Sequence, residues 1–250
     1  MPEIKHDNSK HNSLKFTLKR WSAWLPGQSE LESQGWPAGR NLASTSTSPD
    51  LSFLPQLQRR RLTPLARAAI AVAWDCWQNG DQLPTIFSST HGETGHCFNI
   101  LTTLADHLDV SPTQFTFSVH SGIAAMFSIL TGNKAPYIAM APGNDNHSNA
   151  LLEAYTLMMS QAGDVLVVFY DQPVPKVYRA KTPSPTKLTA LALRLGLAES
   201  ASNHHQLWLT KTPHTQQPKT DGHSLENMIS KICVGETVIN TDQYCWTVSR

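Results

Sequence analysis

Asn144, Asp145, Asn146 and His147 stand in a row after a Pro142-Gly143 break, in the segment AMAPGNDNHSNALLEAY (139–155). A strand that breaks at Pro-Gly and re-enters a helix makes an elbow. It lifts one side chain above the sheet and aims the helix's free N–H groups at whatever binds beside it. An acyl-transferring enzyme would place a cysteine or serine at that tip. Here the tip carries amides, a carboxylate and an imidazole, types that turns and helix N-caps also favour for purely local hydrogen-bonding reasons.

Other residues invite a chemical reading. HGETGH (91–96) resembles a zinc-protease helix motif, but His91 and His96 are five apart and Gly92 and Gly95 interrupt the helix that would present them, so a glycine turn is the expectation and no metal is assigned. His120 beside Ser121 suggests a base and a nucleophile. Adjacent helical residues diverge by about 100°, and only Gly122 of the two elbow glycines is present, so Ser121 is expected to cap a helix. The four cysteines, Cys76, Cys97, Cys233 and Cys245, are widely spaced and suggest neither a zinc knuckle nor a disulfide framework. Arg59, Arg60 and Arg61 read either as a solvated helix entrance or as a contact for an acidic carrier protein.

These residues need elements to hold them. LKFTLKRWSAWL (14–25) alternates as a strand, and SQGWPAGRNLASTSTSPD is expected to be a polar loop. From Leu62, apolar positions at spacings of three and four predict a helix stopping near Asn79-Gly80. LPTIFSST (83–90) predicts a strand, followed through glycines by a helix with the face Phe98, Leu101, Leu104 and Leu108. A further unit follows, with the helix SGIAAMFSILTGN closed by Gly132-Asn133, the strand PYIAMAP and the elbow. The helix after the elbow is expected to bury Leu151, Tyr155, Met158 and Met159, and DVLVVFY (164–170) reads as a strand covered on both faces. After the Pro-rich basic connection QPVPKVYRAKTPSPT comes the strand KLTALALRLGL. HHQLWLT and QYCWTVS are weaker strand candidates, SLENMISKICVG a short helix and KTPHTQQPKTDG a loop. This alternation predicts a layered α/β fold.

Composition bounds the function. A chain of 250 residues, 40% hydrophobic and 16% charged with a net charge of +1, describes an ordinary globule and gives no reason to expect nucleic acid or an anionic membrane as the main partner. No run approaches the ~20 apolar residues of a membrane span, and the polar start lacks the apolar stretch of a signal peptide. A cytoplasmic location is the expectation.

From Leu14 to Leu197 the chain resembles the N-terminal half of the β-ketoacyl synthases. SPTQFTFSVHSGIAAMFSILTGNKAPYIAMAPGNDNHSNALLEAYTLMMSQAGDVLVVFY is similar to that family's helix, central strand, elbow, helix and following strand, and the SSTHGETGH turn is similar to a half-length subgroup of chain-length factors of aryl polyene and related polyketide biosynthesis. The resemblance implies a thiolase-like fold, a single N-terminal-type half with a mixed sheet covered by helices. Its implied boundaries are a flexible leader at 1–13, the ketosynthase-like domain at 14–198 and an extension at 199–250 packed on the same domain.

In that register the family's nucleophilic cysteine falls at Asn144, give or take one position, so the resemblance implies no catalytic residue and no cofactor. It implies a heterodimer with a full-length ketosynthase through the strand Pro136, Tyr137, Ile138, Ala139, Met140 and Ala141, an edge strand that a partner strand would satisfy. It also places Thr113, Gln114, Phe115 and Phe117 toward the bottom of the partner's acyl tunnel, where bulk would limit chain length; both phenylalanines read equally well as core. An acyl carrier protein is a further candidate partner. The competing readings are a stand-alone acyl-thioester hydrolase or transferase using Ser121, and a carrier-docking module using Arg59 to Arg61.

Overall fold

The computed structural model of the chain describes residues 13–27, 39–44, 48–143, 145–161, 163–198, 205–212, 224–241 and 243–248. Of the leader only Ser13 is among these residues, and of the KTPHTQQPKTDG loop only Lys211 and Thr212. Nine strands form one mixed sheet among the described residues, in the order β4-β3-β5-β6-β1-β7-β9-β8, with β2 paired to β1. They are β1 (Ser13–Trp24), β2 (Gly39–Asn41), β3 (Thr85–Ser88), β4 (Tyr137–Met140), β5 (Val165–Asp171), β6 (Thr189–Leu197), β7 (His205–Lys211), β8 (Val238–Asn240) and β9 (Tyr244–Val248). β4, β3 and β5 run parallel, whereas β6, β1, β7, β9 and β8 continue the sheet antiparallel.

β3 and β5 are buried at every residue, which is why they read as unbroken apolar runs: a parallel strand at the sheet centre is covered on both faces. One face is covered by α6 (Asn146–Gln161) and α7 (Leu225–Cys233), the other by α2 (Pro64–Cys76) and α5 (Gly122–Thr131). α2 starts where Thr63 accepts a hydrogen bond from the Ala66 N–H and Pro64 presets the first turn. Its alanines at 66, 68, 69, 71 and 73 are all buried and let the helix approach the strands closely. α5 ends at Gly132, whose φ of 67° is the left-handed cap position the sequence predicts.

Several expectations need correction. The polar loop 33–50 contains β2, which adds to β1 in parallel at Trp21, Ser22 and Ala23, followed by a 3-10 turn at Leu42–Ser44. A separate short helix, α1 (Gln56–Arg61), precedes α2, which itself stops at Cys76 rather than near Gly80. In α6, Leu151 and Met158 are buried but Met159 is 63% exposed, because it lies one residue, about 100°, off the stripe that Leu151, Ala154 and Met158 share.

The helix α3 (Thr94–Ala105) is the largest departure. Its apolar stripe exists, yet Leu101, Leu104 and Leu108 are all exposed and only Ile100 is buried in the helix. Periodicity reports a stripe and not what covers it. α4 (Pro112–Thr116) packs against α3 and is closed by a capping box: Ser111 Oγ accepts from the Gln114 N–H while Gln114 Oε1 accepts from the Ser111 N–H.

Candidate functional site

The C-terminal ends of the parallel strands β3, β4 and β5 meet at the elbow, the position where open α/β sheets commonly build binding sites. Gly143 bends the chain with φ 75°, and Asp145 follows at φ 54°, a left-handed conformation that non-glycine residues seldom adopt. Asn144 lies outside the described residues. Asp145 is buried and its carboxylate accepts three hydrogen bonds: Oδ1 accepts from the Ser148 N–H at 3.3 Å, and Oδ2 from Thr241 Oγ1 at 2.6 Å and the Gln243 N–H at 3.3 Å. Ser148 Oγ in turn joins Thr241 Oγ1 at 3.1 Å and accepts from Trp246 Nε1 at 3.1 Å. A buried polar network therefore ties the elbow to the β8–β9 hairpin, nearly a hundred residues later in the chain.

Asn146 and His147 are also buried, and Asn146 Nδ2 has no hydrogen-bond partner among the described residues. Asn146 Oδ1 accepts from Ser88 Oγ at 2.6 Å, fixing the start of α6 to the end of β3. His147 is buried with its ring edge-on to Phe169, centroids 5.2 Å apart. At the end of β5, Asp171 Oδ1 accepts from Ser89 Oγ at 2.8 Å, the Thr90 N–H at 3.1 Å and the His91 N–H at 3.3 Å. Burial pushes the Asp171 carboxyl above its ordinary range, against the opposing effect of the Ser89 bond.

A cavity of about 200 Å³ opens over these groups, lined by residues that include Gly143, Asp145, Asn146, His147 and Asp171. Its two serines are engaged: Ser224 caps α7 by accepting from the Asn227 N–H, and Ser184 Oγ donates to the Pro185 carbonyl while accepting from the Val174 N–H. No cysteine lines it. Cys76 and Cys233 are buried elsewhere, and burial raises both thiols, Cys233 to about 11. The described wall offers hydrogen-bonding groups without an activated nucleophile.

The remaining candidates are dispersed. His91 Nε2 donates to the Pro183 carbonyl at 2.8 Å and His96 Nε2 to the Gln114 carbonyl at 2.6 Å, so the two rings face different segments; among the described residues no group of three or more His, Cys, Asp and Glu is placed to hold a metal. His120 Nε2 donates to the Met140 carbonyl at 2.9 Å, with Gly92 packed so closely under the ring that a Cβ there would lie 2.8 Å from Nδ1. Ser121 occupies the cap position of α5, yet its side chain makes no capping bond, because Ser121 is already helical at φ −80° and ψ −4° and a capping side chain needs an extended backbone. Arg59, Arg60 and Arg61 form the last turn of α1, where positive charge suits the helix's negative end, and Arg67 donates to the Arg59 carbonyl.

Of the chain-length candidates, Phe117 is core at 2% exposure and Phe115 is 60% exposed. Gln114 is exposed with its side chain held in the capping box, and Thr113 is in α4. β4 is the edge strand of the sheet, half-exposed along its length. Thr85 and Ser89 of the β3 segment donate to the carbonyls of Pro136 and Met140, so by the alternation of a strand the backbone groups of Tyr137 and Ala139 point out from the sheet.

Sequence reasoning missed Thr241, Gln243 and Ser148 as supports of the elbow, and no local signal marks them. Asp171 had one: a carboxylate closing an otherwise apolar buried strand.

Residues 33–250 match the family described as beta-ketoacyl synthase, N-terminal domain. Among solved structures, the chain is similar to a chain of the ketosynthase (ApeO) in complex with its chain length factor (ApeC) from Xenorhabdus doucetiae, with 25% identity and a TM-score of 0.74 over 95% of this chain and 100% of that one. It also shares a fold with a chain of the ishigamide ketosynthase/chain length factor, at 14% identity and a TM-score of 0.56 over 80% of this chain and 65% of that one. No curated protein matches the chain.

Proposed function

We propose, from the premise that the chain belongs to the β-ketoacyl synthase N-terminal domain family, that it is a non-catalytic, chain-length-factor-like subunit. The fold is a single thiolase-like half, a mixed sheet between helix layers. The subunit pairs with a full-length ketosynthase through β4 and shapes its partner's acyl tunnel in polyene, polyketide or fatty-acid-like biosynthesis.

One observation carries this reading: the elbow is kept as architecture while its buried carboxylate, Asp145, is bound on both oxygens by Ser148, Thr241 and Gln243. A ketosynthase elbow presents a thiolate that must be accessible and reactive toward an acyl thioester. A carboxylate that accepts three hydrogen bonds is stabilised as an acceptor and directed away from attack. Asn144, in the position that the family register gives to the nucleophile, brings an amide that cannot accept an acyl chain.

The open edge of β4 and the exposed stripe of α3 support the partner assignment. Tyr137 and Ala139 turn their backbone groups outward, and an edge of this kind is satisfied by a partner strand. Phe115, exposed on α4 next to α3, is the side chain this reading assigns to the partner's tunnel, and Phe117 belongs to this chain's own core. A hydrolase built on Ser121 is not supported: His120 donates Nε2 to the Met140 carbonyl, and its remaining ring nitrogen, Nδ1, lies against Gly92.

Co-expression with a ketosynthase encoded nearby, followed by sizing and product-length analysis, tests the proposal. The expected outcome is a stable heterodimer whose product length changes with Phe115→Ala. A monodisperse homodimer indifferent to any ketosynthase, or an acyl adduct on a side chain of the isolated chain, would refute it.

A further inference from the structure

Two stretches distant in sequence carry cations and no carboxylate: residues 51–67 hold Arg59, Arg60, Arg61 and Arg67, and residues 172–187 hold Lys176, Arg179, Lys181 and Lys187. The fold brings the ends of these stretches to one groove of about 630 Å³. Thr63 and Pro64 form one wall, Gly95, His96, Phe98 and Asn99 of α3 another, and the 172–179 loop with Lys176 and Arg179 the third. The described ion pairs of the protein involve Lys19, Arg20, Arg40, Arg194 and Lys231. Lys176 and Arg179 make none among the described residues, and both are exposed at the groove mouth.

Glu93, the one carboxyl among the groove's described lining, is buried, and Thr63 Oγ1 donates to it. Burial pushes that carboxyl above its ordinary range, against the opposing effect of the Thr63 bond. The Arg179 guanidinium is held at one corner by its Nε–H bond to the Val174 carbonyl at 3.1 Å, leaving its terminal nitrogens for a ligand. Phe98, Val174, Val177 and the three prolines at 64, 173 and 175 add apolar wall. Unpaired cations above an apolar wall suit a small molecule that carries a phosphate and an apolar arm, with the planar guanidinium matching two phosphate oxygens.

We propose that this groove binds a small-molecule phosphate ester, with Arg179 and Lys176 on the phosphate and the Phe98–Val174–Val177 wall on its apolar arm. The site shares no lining residue with the cavity at the elbow. The test is calorimetric titration of the full chain with hexyl phosphate, inorganic phosphate and hexanol, at low and at high salt. Hexyl phosphate should bind more tightly than inorganic phosphate, hexanol should not bind, and salt should weaken the interaction because the cations are exposed.

Lys176→Gln and Arg179→Gln should each weaken hexyl phosphate at least about tenfold, the worth of one charge-assisted contact. Because Arg179 also holds its own loop, Lys176→Gln, with its exposed side chain, carries the test if Arg179→Gln lowers the melting temperature. Equal hexyl phosphate binding by the wild type and Lys176→Gln, or no phosphate binding at low salt, would overturn the assignment.

Discussion

Ala139→Pro separates the edge of β4 as a docking strand from β4 as part of this chain's sheet. The Ala139 N–H points outward, so in the isolated chain it faces no strand among the described residues and its loss removes no bond to β3. Proline is tolerated at strand edges of that kind. In a strand-paired heterodimer the same N–H donates to the partner. Removing it leaves the partner's carbonyl buried without a donor, which costs about 1–3 kcal/mol, so binding should weaken by roughly 5- to 150-fold. Ile138→Pro is the control: its N–H faces β3, so it should destabilise the isolated chain by at least about 1 kcal/mol. Ketosynthase affinity by biolayer interferometry, beside urea unfolding of each variant, reads both effects. If Ala139→Pro folds normally and binds a ketosynthase as tightly as the wild type, β4 is not the docking strand.

Thr241→Val removes the 2.6 Å donor to Asp145 and the contact to Ser148, and should cost about 1–3 kcal/mol of unfolding free energy in urea titration, with little loss of helical signal. Phe117→Ala should destabilise the chain by about 3–5 kcal/mol, while Phe115→Ala should stay within about 0.5 kcal/mol and act on product length instead. Asp171 has a raised folded pKa, so the folded state holds its proton more tightly than the unfolded state. Its contribution to stability is therefore greatest below the ordinary value of 3.8 and falls as pH rises through the raised folded value; in Asp171→Asn the denaturation midpoint should lose that part of its pH dependence.

Much of the fold was legible in the sequence because it is written in local periodicity. The buried runs of β3 and β5, the 3.6-residue pattern of α2 and the Pro142-Gly143 bend each depend on neighbours within a few residues, and each is present, with α2 ending earlier than its pattern suggests, at Cys76. β2 was hidden because three residues added to a longer strand carry no period of their own. The exposure of Leu101, Leu104 and Leu108 was hidden for the opposite reason: the period is present, but burial depends on what faces the helix.

Residue types alone determined that positions 144–147 hold amides, a carboxylate and an imidazole and no thiol, since folding does not change which side chain a position carries. Tertiary structure decided what those groups do. Thr241, Gln243 and Trp246 reach the elbow only through the antiparallel order of β7, β9 and β8. Lys176 and Arg179 likewise share a groove with the start of α2 only because β5 ends beside β3. Hydrogen bonds and Coulomb forces act across a few ångströms, and the separation that matters to them is measured in space and not along the chain.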